Sequence, residues 1–195
     1  WITKFIKPKI ASLFKKRTAD SDHVLWTTCE CKNLIYKEDL QKNLNCCPKC
    51  GAHHKLTCLE RFETFFDDKE FDLITTPLPK DDPINFVDKK KYTDRLKLAR
   101  KITKQDDAVA ISTGRINNIS VTVGAQDFRF IGGSFGAASG EAFIHGVQHA
   151  IDNKNPFIFF SCSGGQRMME SAIALMQMSR TVLAVNELKK NNLPY

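Results

Sequence analysis

The chain has 195 residues, 42% of them hydrophobic and 26% charged, with a formal net charge of +7. This is a globular composition, and no apolar run approaches the roughly 18 residues that a membrane span requires. Lys4, Lys7, Lys9, Lys15, Lys16 and Arg17, with no acidic residue among the first 17, account for +6 and leave the remainder at +1. A nearly neutral body argues against a broad nucleic-acid-binding face.

Residues 1–23 form a basic arm in which Trp1, Ile2, Phe5, Ile6 and Ile10 interleave with the lysines at near-helical spacing. Pro8 interrupts that pattern, so the arm reads as a short docking helix rather than a membrane-surface segment or transit peptide. No apolar core and small-residue cleavage site follow the basic start, so no secretory signal is read there.

Residues 24–58 form a cysteine module. Five of the seven cysteines fall between Cys29 and Cys50, a clustering that fits metal ligation in a reducing compartment better than a disulfide framework. Cys47-Pro48-Lys49-Cys50-Gly51 is a zinc-knuckle signature: two thiolates on one tight turn grip one ion, and the glycine closes the turn in the left-handed conformation. The other half is Cys29-Glu30-Cys31, with fifteen residues between Cys31 and Cys47, the interval of four-cysteine ribbons. One intervening residue in the first pair, where two are usual, makes Cys46 a replacement ligand to consider, while Cys46 and Cys58 otherwise read as buried thiols. His53 and His54 read as solvated loop residues. The expected ligands of one structural Zn2+ are therefore Cys29, Cys31, Cys47 and Cys50.

Residues 59–104 read as a helical linker region. Thr57-Cys58-Leu59-Glu60 has the capping-box form ahead of Leu59, Phe62, Phe65 and Phe66, which predicts a short helix. Pro77, Pro79 and Pro83 mark an extended stretch, and a charged helix is expected over Asp88 to Thr103.

Residues 105–195 have an α/β texture. Two strands, Ala108–Ile116 and Ile119–Val123, flank an Asn117-Asn118 hairpin turn. A third strand is expected to end at Ile131, then a helix near Ser139 to Asn153, a buried strand at Phe157–Phe160, and a second helix from about Arg167 to Leu188. This order predicts a parallel core with its ligand face at the strand C-termini. The chain closes where a further strand is expected, so the core reads as incomplete.

Gly132-Gly133-Ser134-Phe135-Gly136 and Ser163-Gly164-Gly165-Gln166-Arg167 each lie between a strand and a helix. Consecutive glycines allow close backbone approach, and their N–H groups at a helix start point at negative charge: a phosphate, or the oxyanion of an enolised thioester. Neither turn is a P-loop or a nucleophile elbow. Ser161 and Ser163 lack an evident base and read as turn hydroxyls. His145 and His149 fall one turn apart without a third ligand and read as helix-surface residues. Met168, Met169, Met176 and Met178 read as core packing or the lining of an acyl pocket.

These pieces together resemble the β-subunit family of the bacterial and plastid type of acetyl-CoA carboxylase carboxyltransferase. The resemblance rests on Leu25-Trp26-Thr27, Cys47-Pro48-Lys49-Cys50, Lys91-Tyr92-Thr93-Asp94-Arg95-Leu96, the two glycine turns with Met168, and Leu175-Met176-Gln177-Met178. It implies a crotonase-like β-β-α superhelix preceded by a four-cysteine zinc ribbon, and an α2β2 assembly with an α subunit. It further implies carboxyl transfer from carboxybiotin to acetyl-CoA, giving malonyl-CoA for fatty-acid synthesis. The biotin would ride on a biotin carboxyl carrier protein charged by biotin carboxylase, in a bacterial cytoplasm or a plastid stroma. By the same resemblance, Gly164 and Gly165 supply an oxyanion hole through their backbone N–H groups, and Gly132, Gly133 and Gly136 shape the wall of the acyl-CoA site.

Two readings from other classes compete. One is a zinc-ribbon protein whose basic arm contacts nucleic acid. The other is a crotonase-type hydratase or isomerase, for which Glu170 and Glu141 are the close candidate carboxylates.

Overall fold

The computed structural model describes residues 25–195; the expected basic arm at 1–23 lies outside them. One compact unit ends at His54, and a second comprises Lys55–Tyr195.

In the first unit, β1 (Trp26–Thr28) and β2 (Leu34–Tyr36) pair antiparallel, with Thr27 opposite Ile35. A short helix, α1 (Lys37–Lys42), follows. Among the described residues the unit's buried cluster is only Cys29, Ile35, Leu40 and Cys47. So few apolar residues cannot offset the conformational entropy of the loops around them, so two of the four core members being cysteines matters.

The second unit is built on a four-stranded sheet in the order β3 (Phe71–Ile74), β4 (Val109–Ile116), β5 (Ile119–Gln126), β6 (Phe157–Phe160). β4 and β5 form the expected hairpin, and Asn117 and Asn118 take φ of +49° and +64°. Both central residues are thus left-handed, as the two-residue turn that matches strand twist demands.

The sheet is mixed, not parallel as expected: of its neighbouring pairs only β5 and β6 are parallel. The antiparallel pairs come from the hairpin and from β3, whose short Phe71–Ile74 run gave little periodicity. The parallel pair requires a crossover, which α4 (Ala137–Asp152) provides.

Alternation along the strands sorts the core into two layers. On one face Val109, Ile111 and Phe157 pack with Phe143, Val147 and Ala150 of α4 and Leu188 of α5 (Ala172–Lys190). On the other face Val121, Val123 and Ala125 pack against Cys58, Phe62 and Phe66, the first two on α2 (Cys58–Phe65). The Thr57–Glu60 capping box that starts α2 is formed in both directions. A third cluster joins Tyr92 and Leu96 of α3 (Tyr92–Thr103) to Ala108, Phe130 and Met169.

Two further expectations are corrected. No third strand ends at Ile131. After β5 the Asp127 carboxylate accepts from the Arg129 N–H at 2.9 Å and binds its side chain, so the chain turns into a 3-10 segment at Ile131–Gly133. The last helix does not run unbroken from Arg167: a 3-10 turn at Met168–Glu170 is separated from α5 by Ser171, whose φ is +51°. Among the described residues, no helix is long and apolar enough to cross a membrane.

Candidate functional site

The β1–β2 turn and the loop after α1 bring the sulfurs of Cys29, Cys31, Cys47 and Cys50 within 4.8 Å of one another. Cys29 and Cys50 are 3.6 Å apart and Cys31 and Cys47 3.9 Å. A tetrahedral zinc with Zn–S bonds of about 2.3 Å needs sulfurs about 3.8 Å apart. The cluster therefore fits that ion, and the shortened first pair is no obstacle.

The reason lies in the turn. Lys32 takes φ of +63°, and the Cys29 N–H donates to the Asn33 carbonyl. The Asn33 side-chain amide reaches back to the Cys31 sulfur at 3.2 Å. That donor favours the thiolate and brings the Cys31 thiol down to about 6. Gly51, at φ +73°, closes the second knuckle. Cys46 instead faces the Leu44 carbonyl, and neither it nor His53 nor His54 belongs to the cluster. Among the described residues it is the only such group of metal-binding side chains; His149 bonds Thr122 at 3.0 Å instead.

The two glycine turns are brought together and zipped by backbone bonds. Gly164 N–H donates to Gly132 O at 2.9 Å, Phe135 N–H to Gly165 O at 2.9 Å, and Arg167 N–H to Phe135 O at 2.8 Å. Gly132, Gly133 and Gly165 have φ of +65°, +63° and +121°, a region in which side chains are strained. Gly133 and Gly136 are also close-approach positions: a Cβ would overlap the Cys162 carbonyl oxygen at the first and the Glu170 carboxylate at the second.

The Gly164 N–H is thus spent inside the protein. The Gly165 N–H donates to the Ser163 hydroxyl at 3.0 Å, and that hydroxyl donates on to the Gly165 carbonyl. Gly165, Ser161 and Ser163 share with Phe143, Phe159 and Val182 the lining of a cleft of about 600 Å³. Gly132, Gly133 and Gly136 do not line it; Phe135 does.

Behind the turns lies a buried polar network that sequence reasoning missed. Arg167 is fully buried. Its guanidinium holds both oxygens of Asp107 at 2.8 and 2.9 Å, the Tyr92 hydroxyl at 2.9 Å, and the Ser134 carbonyl and hydroxyl. Burial alone would lower the Arg167 pKa, but the Asp107 carboxylate outweighs it and holds the guanidinium above its ordinary range. Burial, with Glu170 alongside, pushes the Tyr92 hydroxyl up. Tyr92 donates to Glu170 at 2.6 Å, and the other Glu170 oxygen accepts the Ala137 N–H at the start of α4. The helix has no capping side chain of its own, so Glu170 serves as a remote cap that favours the positive helix end.

Glu170 is therefore committed, and Glu141 is paired with Arg180 at 2.6 Å. Neither stands free as a carboxylate for a hydratase or isomerase.

The sequence profile of the carboxyl transferase domain matches residues 82–195. This chain belongs to that family. A second profile, the acetyl-CoA carboxylase zinc finger domain, matches residues 26–50 and spans all four cysteines. The chain is 49% identical over its whole length to the acetyl-coenzyme A carboxylase carboxyl transferase subunit beta of Pelagibacter ubique, and 42% identical to that of a Jannaschia species. It spans 64% and 61% of the length of these two relatives. Among solved structures it resembles a transcarboxylase 12S crystallised with hydrolysed methylmalonyl-coenzyme A: TM-score 0.53, 24% identity, covering 78% of this chain and 25% of that one. That likeness shows the fold, a crotonase-like carboxyltransferase α/β arrangement; the four-cysteine ribbon rests on the second profile and the sulfur cluster.

Proposed function

We propose that this chain is part of the β subunit of an acetyl-CoA carboxylase carboxyltransferase, which moves a carboxyl group from carboxybiotin to acetyl-CoA to give malonyl-CoA. The named relatives at 42–49% identity support the reading, and the observation that carries it is the Gly165 amide beside an apolar cleft. On this reading an α subunit, biotin carboxyl carrier protein and biotin carboxylase are its partners.

Carboxybiotin, presented by its carrier protein, supplies the carboxyl group. As the N–CO2 bond of carboxybiotin breaks, the freed biotin nitrogen takes the proton of the thioester methyl and the resulting enolate carbon bonds the released CO2. The charge that gathers meanwhile on the thioester oxygen is stabilised by a preorganised N–H aimed at it, without a side-chain nucleophile. Gly165 is the donor in this scheme; rotation of the Ser163 side chain about its Cα–Cβ bond carries the hydroxyl oxygen away and frees the N–H. Gly164 contributes by locking the preceding peptide through Gly132, and Gly133 and Gly136 keep the opposing turn close. The zinc held by Cys29, Cys31, Cys47 and Cys50 would fold the ribbon and take no part in the transfer.

Gly165→Ala tests this directly. A Cβ there meets nothing within 4 Å, but φ of +121° is closed to alanine, so the change redirects the amide without filling the site. In the assembled carboxyltransferase, kcat should fall by about 10²–10³, the scale of losing one oxyanion donor. Unchanged turnover in a folded assembly sinks the assignment.

A further inference from the structure

We propose that Arg167 is a positioning residue: its side chain clasps the two glycine turns together and so fixes the direction of the Gly165 amide. The inference rests on the reading of Gly165 as the oxyanion donor.

A buried ion pair is weak evidence for stability, since its desolvation can exceed its Coulombic gain. What it supplies here is geometry. The Arg167 backbone N–H reaches Phe135 O, while its side chain holds the carbonyl and hydroxyl of the preceding residue, Ser134. One residue therefore grips two consecutive positions of the opposing turn. The Gly164–Gly165 peptide is in turn bracketed by Gly164 N–H on Gly132 O and by Phe135 N–H on Gly165 O. These bonds fix the peptide planes on either side and the positions of the two Cα atoms, and the Ser163 hydroxyl holds the plane between them.

The clasp is anchored from outside the turns. Asp107, just before β4, also accepts the Ser139 hydroxyl of α4 at 2.6 Å and the Ala108 N–H at 2.8 Å. Tyr92, the first residue of α3, ties Arg167 to Glu170. All five guanidinium N–H groups have acceptors, and such a fork is what arginine offers and lysine does not. Asp107, Tyr92 and Arg167 thus convert the packing of α3, α4 and the sheet into the angle of one peptide plane.

The test compares Arg167→Lys and Tyr92→Phe with the parent chain by residue-resolved amide hydrogen exchange. Tyr92→Phe removes one hydroxyl and leaves the ring in its core cluster, so it decides the matter even if Arg167→Lys does not fold. Exchange at Gly164, Phe135 and Arg167 should rise about tenfold while β4 and β5 stay protected. No rise at those three amides, or an equal rise throughout the sheet, overturns the clasp. The same variants in the assembled carboxyltransferase should lose kcat by about tenfold or more, with KM for the acyl-CoA held within about twofold. Selective loosening with kcat intact would leave the clasp standing and remove Gly165 from the chemistry.

Discussion

Adjacent glycines in the first turn do different work. At Gly132 a Cβ would meet nothing within 4 Å, so only its φ of +65° resists substitution. At Gly133 the same left-handed backbone is combined with an overlap on the Cys162 carbonyl, a backbone atom that cannot swing aside. Gly132→Ala should therefore cost about 1–2 kcal/mol, and Gly133→Ala clearly more, read as the difference in denaturant midpoints. Equal losses at the two positions would contradict this account. At the ribbon, Asn33 donates to the Cys31 sulfur, so Asn33→Ala should weaken zinc retention by about tenfold, the low end for losing an outer-shell partner. Competition with a chromophoric chelator measures it, and an unchanged affinity would remove Asn33 from the site. Much at this scale was legible in advance: the four sulfurs and both glycine turns carry their spacing in the sequence. The Arg167 network was not, because its bonded members lie between 33 and 78 residues apart. Nothing local distinguishes a buried Asp107 from its solvated neighbour Asp106.

Among the elements, α2 shows how a local signal becomes tertiary structure. Its capping box satisfies N–H groups at the start, and Cys58 and Phe62 are delivered fully buried to the sheet face. Thr57→Ala should lower stability by about 1 kcal/mol, seen in equilibrium unfolding; a shift near zero would mean that packing alone sets the start of the helix. The capping box and the Asn-Asn hairpin could be read because each is decided within a few residues. Strand direction could not. Whether the sheet is parallel or mixed depends on β3, which pairs with β4 from thirty-odd positions upstream, and on α4, the crossover that lays β6 parallel to β5. The missed turn after β5 has a similar cause: Phe128, Phe130 and Ile131 read as strand, but the Asp127 side chain bends the backbone locally.

For the whole molecule, the division after His54 separates a small unit that depends on metal from a larger one with its own layered core. Chelation should therefore strip amide protection from Trp26 through Cys50 and leave the transition of Lys55–Tyr195 near its original temperature. Calorimetry with and without chelator distinguishes this from one cooperative melt that chelation leaves untouched, the result that would refute a metal-built ribbon. In the larger unit, the Gly165 amide already has a neutral oxygen as its acceptor, the Ser163 hydroxyl. A neutral carbonyl arriving there exchanges like for like and gains little. An oxygen gathering negative charge forms the stronger, charge-assisted bond and displaces the hydroxyl outright. If Gly165 is the oxyanion donor proposed above, the serine sets a threshold: the amide then discriminates by charge rather than by shape, and responds to a thioester only as its oxygen begins to change.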